Sequence, residues 1–411
     1  MSFKLEDMAD FQKGFAFKSR DFKKSGIKIV KVSNLTDESI DGSGCVHIDN
    51  ELADNYNQYE LNSDDIIITT VGSWPTNPAS VVGKVVRVPK HMNGSLLNQN
   101  AVRVRSNQNV DQKYLFYLLK SNIFKDYIIG TAQGSANQAS ITQKDIKNFK
   151  YDIHEFEEQK VIASILSALD EKIETNNQIN KKLEEMAQAI FKHWFVDFEF
   201  PNEEGKPYKS SGGEMVESEM GMIPKGWEVK QLKNHIKFIK GKKPKIINDF
   251  IFENSEVYLT IDVLNRNSVQ YAINDKVVLA TKRDVLMVMD GASSGKLYYG
   301  MNGIVGSTLA KIEVDSRLIN SDILYFFLKN NEYNIKMHLT GSAIPHTDKE
   351  YINKLYIAIP RDKNMLANVV ETLSDIRMKI IVNDEENNIL KCIRDTLLPK
   401  LMSGEIRVPL K

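Results

Sequence analysis

At 411 residues the chain is longer than a single hydrophobic core usually supports and suits two domains. It carries 54 Lys and Arg against 54 Asp and Glu, so no chain-wide basic field points to nucleic acid. No apolar run reaches the ~18 residues of a membrane span, the start MSFKLEDMADF lacks the apolar core of a signal peptide, and Cys45 and Cys392 alone exclude a disulfide framework or a cysteine zinc site; a reducing cytoplasm is expected.

In chain order, residues 27–32, 65–71, 79–88 and 101–104 are predicted as short strands from their β-branched content and alternation. Residues 110–127 read as one helix, and the glycine- and amide-rich stretch 130–138 as a loop. From 162 to 194 an apolar heptad stripe runs through Ile162, Leu166, Leu169, Ile173, Asn176, Asn180, Leu183, Ala187, Ile190 and Trp194. Residues 199–226, polar and rich in glycine, read as a linker. Strands are then expected at 257–263, 277–280, 284–289 and 307–312, a helix at 321–336, and a loop at 341–347. A second stripe follows: Val369, Leu373, Ile376, Ile380, Asn383, Asn387, Leu390, Arg394, Leu397. Pro399 is expected to end or kink that helix, because it lacks a donor and clashes with the preceding turn.

The two stripes are copies. Asn176 and Asn180 recur as Asn383 and Asn387, with an offset of 207 in both cases. Other matches keep the same order: 11–14 (FQKG) with 238–241 (FIKG), 65–72 with 284–291, 115–120 (LFYLLK) with 324–329 (LYFFLK), and the Gly-Ser-Ala of 134–136 with that of 341–343. The chain therefore reads as two copies of a module, each a globular α/β domain followed by a long helix. Buried asparagines cost stability but fix register. If the helices pair antiparallel, these four face each other where paired residue numbers sum to 563, so Asn176 meets Asn387 and Asn180 meets Asn383. Leu169 opposite Arg394 is the one mismatch, relieved if Arg394 swings out and Ile393 fills in. The simpler alternative is two unrelated amphipathic helices, each buried in its own domain.

Catalytic constellations are not supported. The stretch 291–296 (GASSGK) is too short between its glycines for a phosphate-binding loop, and Leu297 stands where Ser or Thr is needed. The seven histidines are scattered, no strand-linked GxGxxG is present, and residues 170–172 (DEK) read as solvated charge rather than a nuclease triad. Recognition of an extended ligand remains, and DNA is the evident one. Side chains suited to base edges and phosphates are Ser73, Trp74, Thr76, Asn77, Gln133, Asn137 and Gln138 in the first half. In the second half they are Lys240, Lys242, Lys243, Lys245, Ser293, Ser294, Lys296, His346 and Thr347.

Residues 191–198 (FKHWFVDF), 207–214 (PYKSSGGE), 223–228 (IPKGWE) and 397–408 (LLPKLMSGEIRV) strongly resemble the specificity subunit of type I restriction–modification systems, over the whole chain. Glu158-Gln159 resembles the start of that family's central helix; the entry to the second helix after Pro360 lacks this pair. The resemblance implies an α+β protein in which two duplicated α/β target-recognition domains are joined by two long antiparallel coiled-coil spacer helices with pseudo-twofold symmetry. The expected layout is target-recognition domain 1 at 1–154, central spacer helix at 155–198, linker at 199–226, target-recognition domain 2 at 227–360 and C-terminal spacer helix at 361–404. It further implies a subunit that binds a bipartite double-stranded DNA site and needs no cofactor of its own. The missing motifs make it non-catalytic, and the divergence of the two globular halves makes an asymmetric site the expectation. Two modification (adenine methyltransferase) subunits and restriction (endonuclease/translocase) subunits are the implied partners, and S-adenosylmethionine, ATP and Mg belong to them. Two alternatives are a coiled-coil adaptor without DNA recognition, and a methyltransferase or nuclease in its own right.

Overall fold

The computed structural model describes residues 2–36, 39–74, 81–135, 138–265, 268–314 and 319–409. The chain divides into two compact units: residues 1–173 with 388–411, and residues 174–387.

In the first unit, a four-stranded antiparallel sheet takes the order Ala9–Lys13, Ala101–Ser106, Ile66–Thr69, Val85–Arg87. The run Ile66–Thr69 is buried throughout, which alternating side chains permit only if both faces are covered. Ile66 and Ile68 enter the larger core with Leu5, Tyr114 and Leu118, whereas Ile67 enters a smaller one with Leu61, Val86 and Leu97. A second four-stranded sheet covers that face, in the order Val46–Ile48, Ile27–Val30, Ser95–Leu97, Glu60–Leu61, with its middle pair parallel.

The second unit repeats this plan. Its antiparallel sheet runs Ile236–Lys240, Leu309–Val314, Val285–Val288, Leu297–Tyr299. Val285 and Met287 enter one core, and Leu286 and Val288 enter another. Its second sheet again contains one parallel pair, Ser255–Leu259 with Gly303–Val305.

The single helix expected at 110–127 is two helices, Gln112–Lys120 and Asn122–Thr131. Ser121 is extended at ψ 155° and its hydroxyl donates to the Leu118 carbonyl at 2.7 Å, so a local hydrogen bond replaces helix continuation. The counterpart at 321–336 likewise splits into Ser321–Asn330 and Glu332–Met337, where the Asn331 amide donates to the Phe327 carbonyl. The strand expected over 257–263 ends at Leu259, because the Thr260 hydroxyl caps a short helix, Ile261–Leu264. Of the strand expected at 79–88, only Val85–Arg87 forms, and residues 79 and 80 lie outside the described residues.

Two long helices span Phe156–Phe195 and Ala367–Met402. The second continues past Pro399 to Met402, so the proline does not end it where expected; the carbonyl of Pro399 accepts from the Ser403 amide. Within the second unit, Asn176 Nδ2 donates to Asn387 Oδ1 at 2.9 Å and Asn383 Nδ2 donates to Asn180 Oδ1 at 2.8 Å. Rising numbers on one helix meet falling numbers on the other, as in antiparallel pairing. Within the first unit, Arg394 does not swing out: it is buried and its guanidinium donates to Asp170 at 2.7 Å, while Ile393 stays exposed. Asp170, read as solvated charge, is therefore half of a sequestered ion pair and also accepts from the Tyr117 hydroxyl at 2.6 Å.

The polar stretch 199–226 is ordered by packing. Met215–Ser218 and Gly221–Pro224 form a hairpin, and Phe200 stacks between Tyr208 and Trp227. Among the described residues, no helix is long and apolar enough to cross a membrane.

Candidate nucleic-acid interface

In the first unit, a small antiparallel sheet of Gln133–Ser135, Gln138–Ser140 and Val71–Gly72 gathers the loop candidates. Gln133 and Gln138 are exposed on its hairpin. The hairpin closes tightly: a Cβ on Gly134 would lie 2.0 Å from the Gln138 carbonyl oxygen, so only glycine fits there. Trp74 lies beside it, its indole Nε1 donating to the Ser135 carbonyl at 2.8 Å and its ring against the core. The indole thus braces the hairpin. Ser73 is buried. Thr76, Asn77 and Asn137 lie outside the described residues.

The second unit rebuilds the same corner by bridges rather than full strands. His346 pairs with Asp290 and Thr340, as Ser140 pairs with Val71 and Gln133 in the first unit. Gly341 (φ +84°) occupies the place of Gly134, and a Cβ there would lie 2.4 Å from the Ile344 carbonyl oxygen. Ser294 and Thr347 are buried and support the corner from beneath. The Ser294 hydroxyl lies 2.7 Å from the Gly291 carbonyl and 2.8 Å from that of Pro345. Thr347 Oγ1 donates to the Val288 carbonyl and accepts from the Gly295 amide. Their hydroxyls are spent on the backbone, so these two hold the loops in place.

At the surface of this corner, Asp290 accepts from Lys240 Nζ and lies against His346 Nδ1, each at 2.8 Å. Burial pushes the Asp290 carboxyl up, but the hydrogen bonds from Lys240 and His346 outweigh it and hold it below the usual carboxylate range. Lys240 and His346 are exposed, and Lys242, Lys243 and Lys245 follow Lys240 on exposed chain. Lys296 points elsewhere: its ammonium lies over the Tyr298 ring at 4.7 Å and donates to Asn265 Oδ1 at 2.8 Å. Ser293 is half-buried in the turn before it. The structure thus brings together Trp74, Gln133 and Gln138 in one unit, and Lys240 and His346 in the other.

Asp290, Asn265 and Tyr298 escaped the sequence reading. The one available signal for Asp290 was its place in the repeat, where the first copy has the apolar Val71. Exposed Phe250, Ile251 and Ile344 were also missed, since isolated apolar residues in loops carry no periodicity.

The family described as the type I restriction modification DNA specificity domain matches residues 1–185 and 224–391. The chain is 30% identical over 328 residues to the type I restriction enzyme MjaIX specificity subunit of Methanocaldococcus jannaschii, covering 76% of this chain and 73% of that one. It is 24% identical over 396 residues to the HindI specificity subunit of Haemophilus influenzae, covering 79% of this chain and 84% of that one. Its fold is similar to the crystal structure of the type I restriction–modification S subunit from M. genitalium, with a TM-score of 0.58 at 16% identity over 100% of this chain and 96% of the other. With a match that takes in both copies of the repeated fold, the chain belongs to the type I restriction–modification DNA specificity family.

Proposed function

We propose that each unit of this specificity subunit reads one half of a bipartite, asymmetric double-stranded DNA site. The subunit is the non-catalytic DNA-recognition component of its system. The observation that carries the bipartite reading is the pair of corners just described: one strand plan presents Trp74, Gln133 and Gln138 in one unit and Lys240 and His346 in the other. A common scaffold with unlike side chains is what two different half-sites require, because phosphate contacts position a protein and base-edge contacts specify sequence.

Exposed glutamines suit adenine edges, and the lysines from 240 to 245 suit phosphates. With zero net charge overall, DNA affinity rests on such local groups. The two modules are duplicated target-recognition domains, and the paired long helices are their coiled-coil spacer. The subunit positions two adenine-methylating modification subunits and the restriction subunits; chemistry with S-adenosylmethionine, ATP and Mg resides on them. Exchanging residues 1–154 for the corresponding segment of a relative, in the complex with its modification subunit, should rewrite one half of the methylated sequence and leave the other. Mapping methylated adenines decides this, and simultaneous change in both halves would refute it.

A further inference from the structure

Each unit fastens its pair of long-helix segments with one buried arginine and a carboxylate on the facing helix; Arg394 also pairs with its exposed neighbour Asp395 at 2.9 Å. In the first unit Arg394 donates to Asp170, and the Tyr117 hydroxyl caps the carboxylate. In the second, Arg377 donates to Glu184 at 2.8 Å, the Tyr325 hydroxyl reaches the same carboxylate, and the guanidinium lies 4.3 Å from the Tyr299 and Tyr325 ring centres. Arg377 and Arg394 are 4% and 3% exposed, so neither charge has water as an alternative partner.

Both acids lie on the helix Phe156–Phe195 and both arginines on the helix Ala367–Met402. Yet the helices are copies offset by 207, and at that offset Asp170 corresponds to Arg377. The charge sign has been inverted at one repeated position.

The asparagine-to-asparagine bonds cannot tell the two helices apart; only the half-buried Glu386, which accepts from Asn176 and corresponds to Ile179, differs. Asn176 and Asn180 occupy the same places as Asn383 and Asn387, and Asn177, which accepts from Asn387, corresponds to Asp384, which accepts from Asn180. Two copies of either helix could form the same core hydrogen bonds in the same register. The charges remove that option. If the first helix paired with its own kind, the Glu184–Arg377 contact would become Glu184 against Asp170. If the second did so, the Asp170–Arg394 contact would become Arg377 against Arg394. A buried like-charge contact is among the strongest available penalties against a wrong partner.

We infer that these two ion pairs make the long helices obligate unlike partners: the acidic helix accepts only the arginine-bearing helix, which directs each chain to close on itself rather than pair like helix with like in a second copy. The asparagines set register, and the ion pairs set partner.

The full chain provides the test. D170R/R377E leaves composition almost unchanged but sets like charges at both native crossings, while making each helix complementary to its own kind. It should convert the monomer to a species of twice the chain mass by light scattering at micromolar concentration. The reversal D170R/E184R/R377E/R394E restores opposite charges between unlike helices and again forbids like pairing. Tyr117 and Tyr325 can accept from a guanidinium as well as donate to a carboxylate. This variant should be monomeric and folded, melting below wild type because R394E sets a carboxylate beside Asp395 and R377E gives up the contact with the Tyr299 and Tyr325 rings. A D170R/R377E protein that stays monomeric, or that unfolds instead of re-pairing, overturns the inference. So does a fourfold variant that is dimeric or unfolded.

Discussion

Replacing the asparagines of the helix pair separates what a buried polar layer costs from what it specifies. Asn176 Nδ2 serves Asn387 Oδ1 and Glu386 Oε2, and Asn387 Nδ2 serves Asn177 Oδ1. In Asn176→Leu, the neutral bond is lost, about 1 kcal/mol, and the buried Asn387 oxygen is left unsatisfied, about 1–3 kcal/mol. Glu386 reaches solvent, so water offsets most of its loss, and Asn177 keeps its bond from Asn387. The new leucine returns about 2 kcal/mol by burial. The net change is a destabilisation of about 0–2 kcal/mol. In Asn176→Leu with Asn387→Leu no buried oxygen is orphaned. Two buried leucines, about 4 kcal/mol, then exceed the lost hydrogen bonds, about 2–3 kcal/mol, and the pair is stabilised by about 1–2 kcal/mol. Adding Asn387→Leu to Asn176→Leu should therefore recover about 1–4 kcal/mol, a non-additivity expected for residues in direct contact. Native-state hydrogen exchange of the amides in residues 174–195 reads this locally, without requiring the whole chain to unfold in one step. An Asn176→Leu variant more stable than wild type, or a double variant less stable than Asn176→Leu, would refute the reasoning.

Three further predictions concern the corners and His154. Trp74→Phe removes the hydrogen bond to Ser135 and should weaken DNA binding by the complex several-fold with little change in its salt slope, whereas Lys242→Ala with Lys243→Ala should flatten the slope of log K against log salt by about 1–2; fluorescence anisotropy across a salt series separates them. Gly341→Ala meets both a left-handed φ of +84° and the Ile344 carbonyl, so it should cost about 1–3 kcal/mol in thermal stability and lower DNA affinity, whereas alanine at Gly94, with open space around it, meets only the φ penalty. Burial lowers the pKa of His154, whose Nδ1 lies 2.7 Å from the Tyr114 hydroxyl. A folded pKa below the unfolded one means stability is complete above the unfolded value near 6.5 and declines as pH falls below it, so Tm should drop between pH 7 and 5, and His154→Gln should remove that part of the slope.

Much of the architecture was legible because it is written twice. The repeated DIIITTVG and DVLMVMDG segments both form central strands whose alternating residues enter two cores, and an apolar run bounded by turns announces that. The asparagine register was readable because identical polar residues recur at one offset. Arg394 was misread because its partner, Asp170, lies 224 residues away, and heptad spacing treats any charge as a defect. The breaks at Ser121 and Asn331 depend on one side-chain hydrogen bond each, below what periodicity resolves. Among the candidate contacts, residue type did not separate Ser294 and Thr347, which face inward, from Gln133 and Gln138, which face out. Polar residues near a turn serve both purposes, and only burial distinguishes them.

The first unit draws on two segments far apart in the chain, residues 1–173 and 388–411, and this sets a schedule for its synthesis. Ile162, Ala163 and Leu166 share a core with Leu398, Leu401 and Met402, and Tyr151 donates to the Met402 carbonyl. At about 5–20 residues per second, the ribosome needs roughly 10–50 s to pass from residue 173 to residue 402. Through that interval the apolar stripe of the first long helix emerges without the segments that will cover it. A nascent chain stalled anywhere in the second unit therefore displays an uncovered helix face. A chaperone that recognises apolar helices should bind such stalled chains and release them once Leu401 has cleared the exit tunnel.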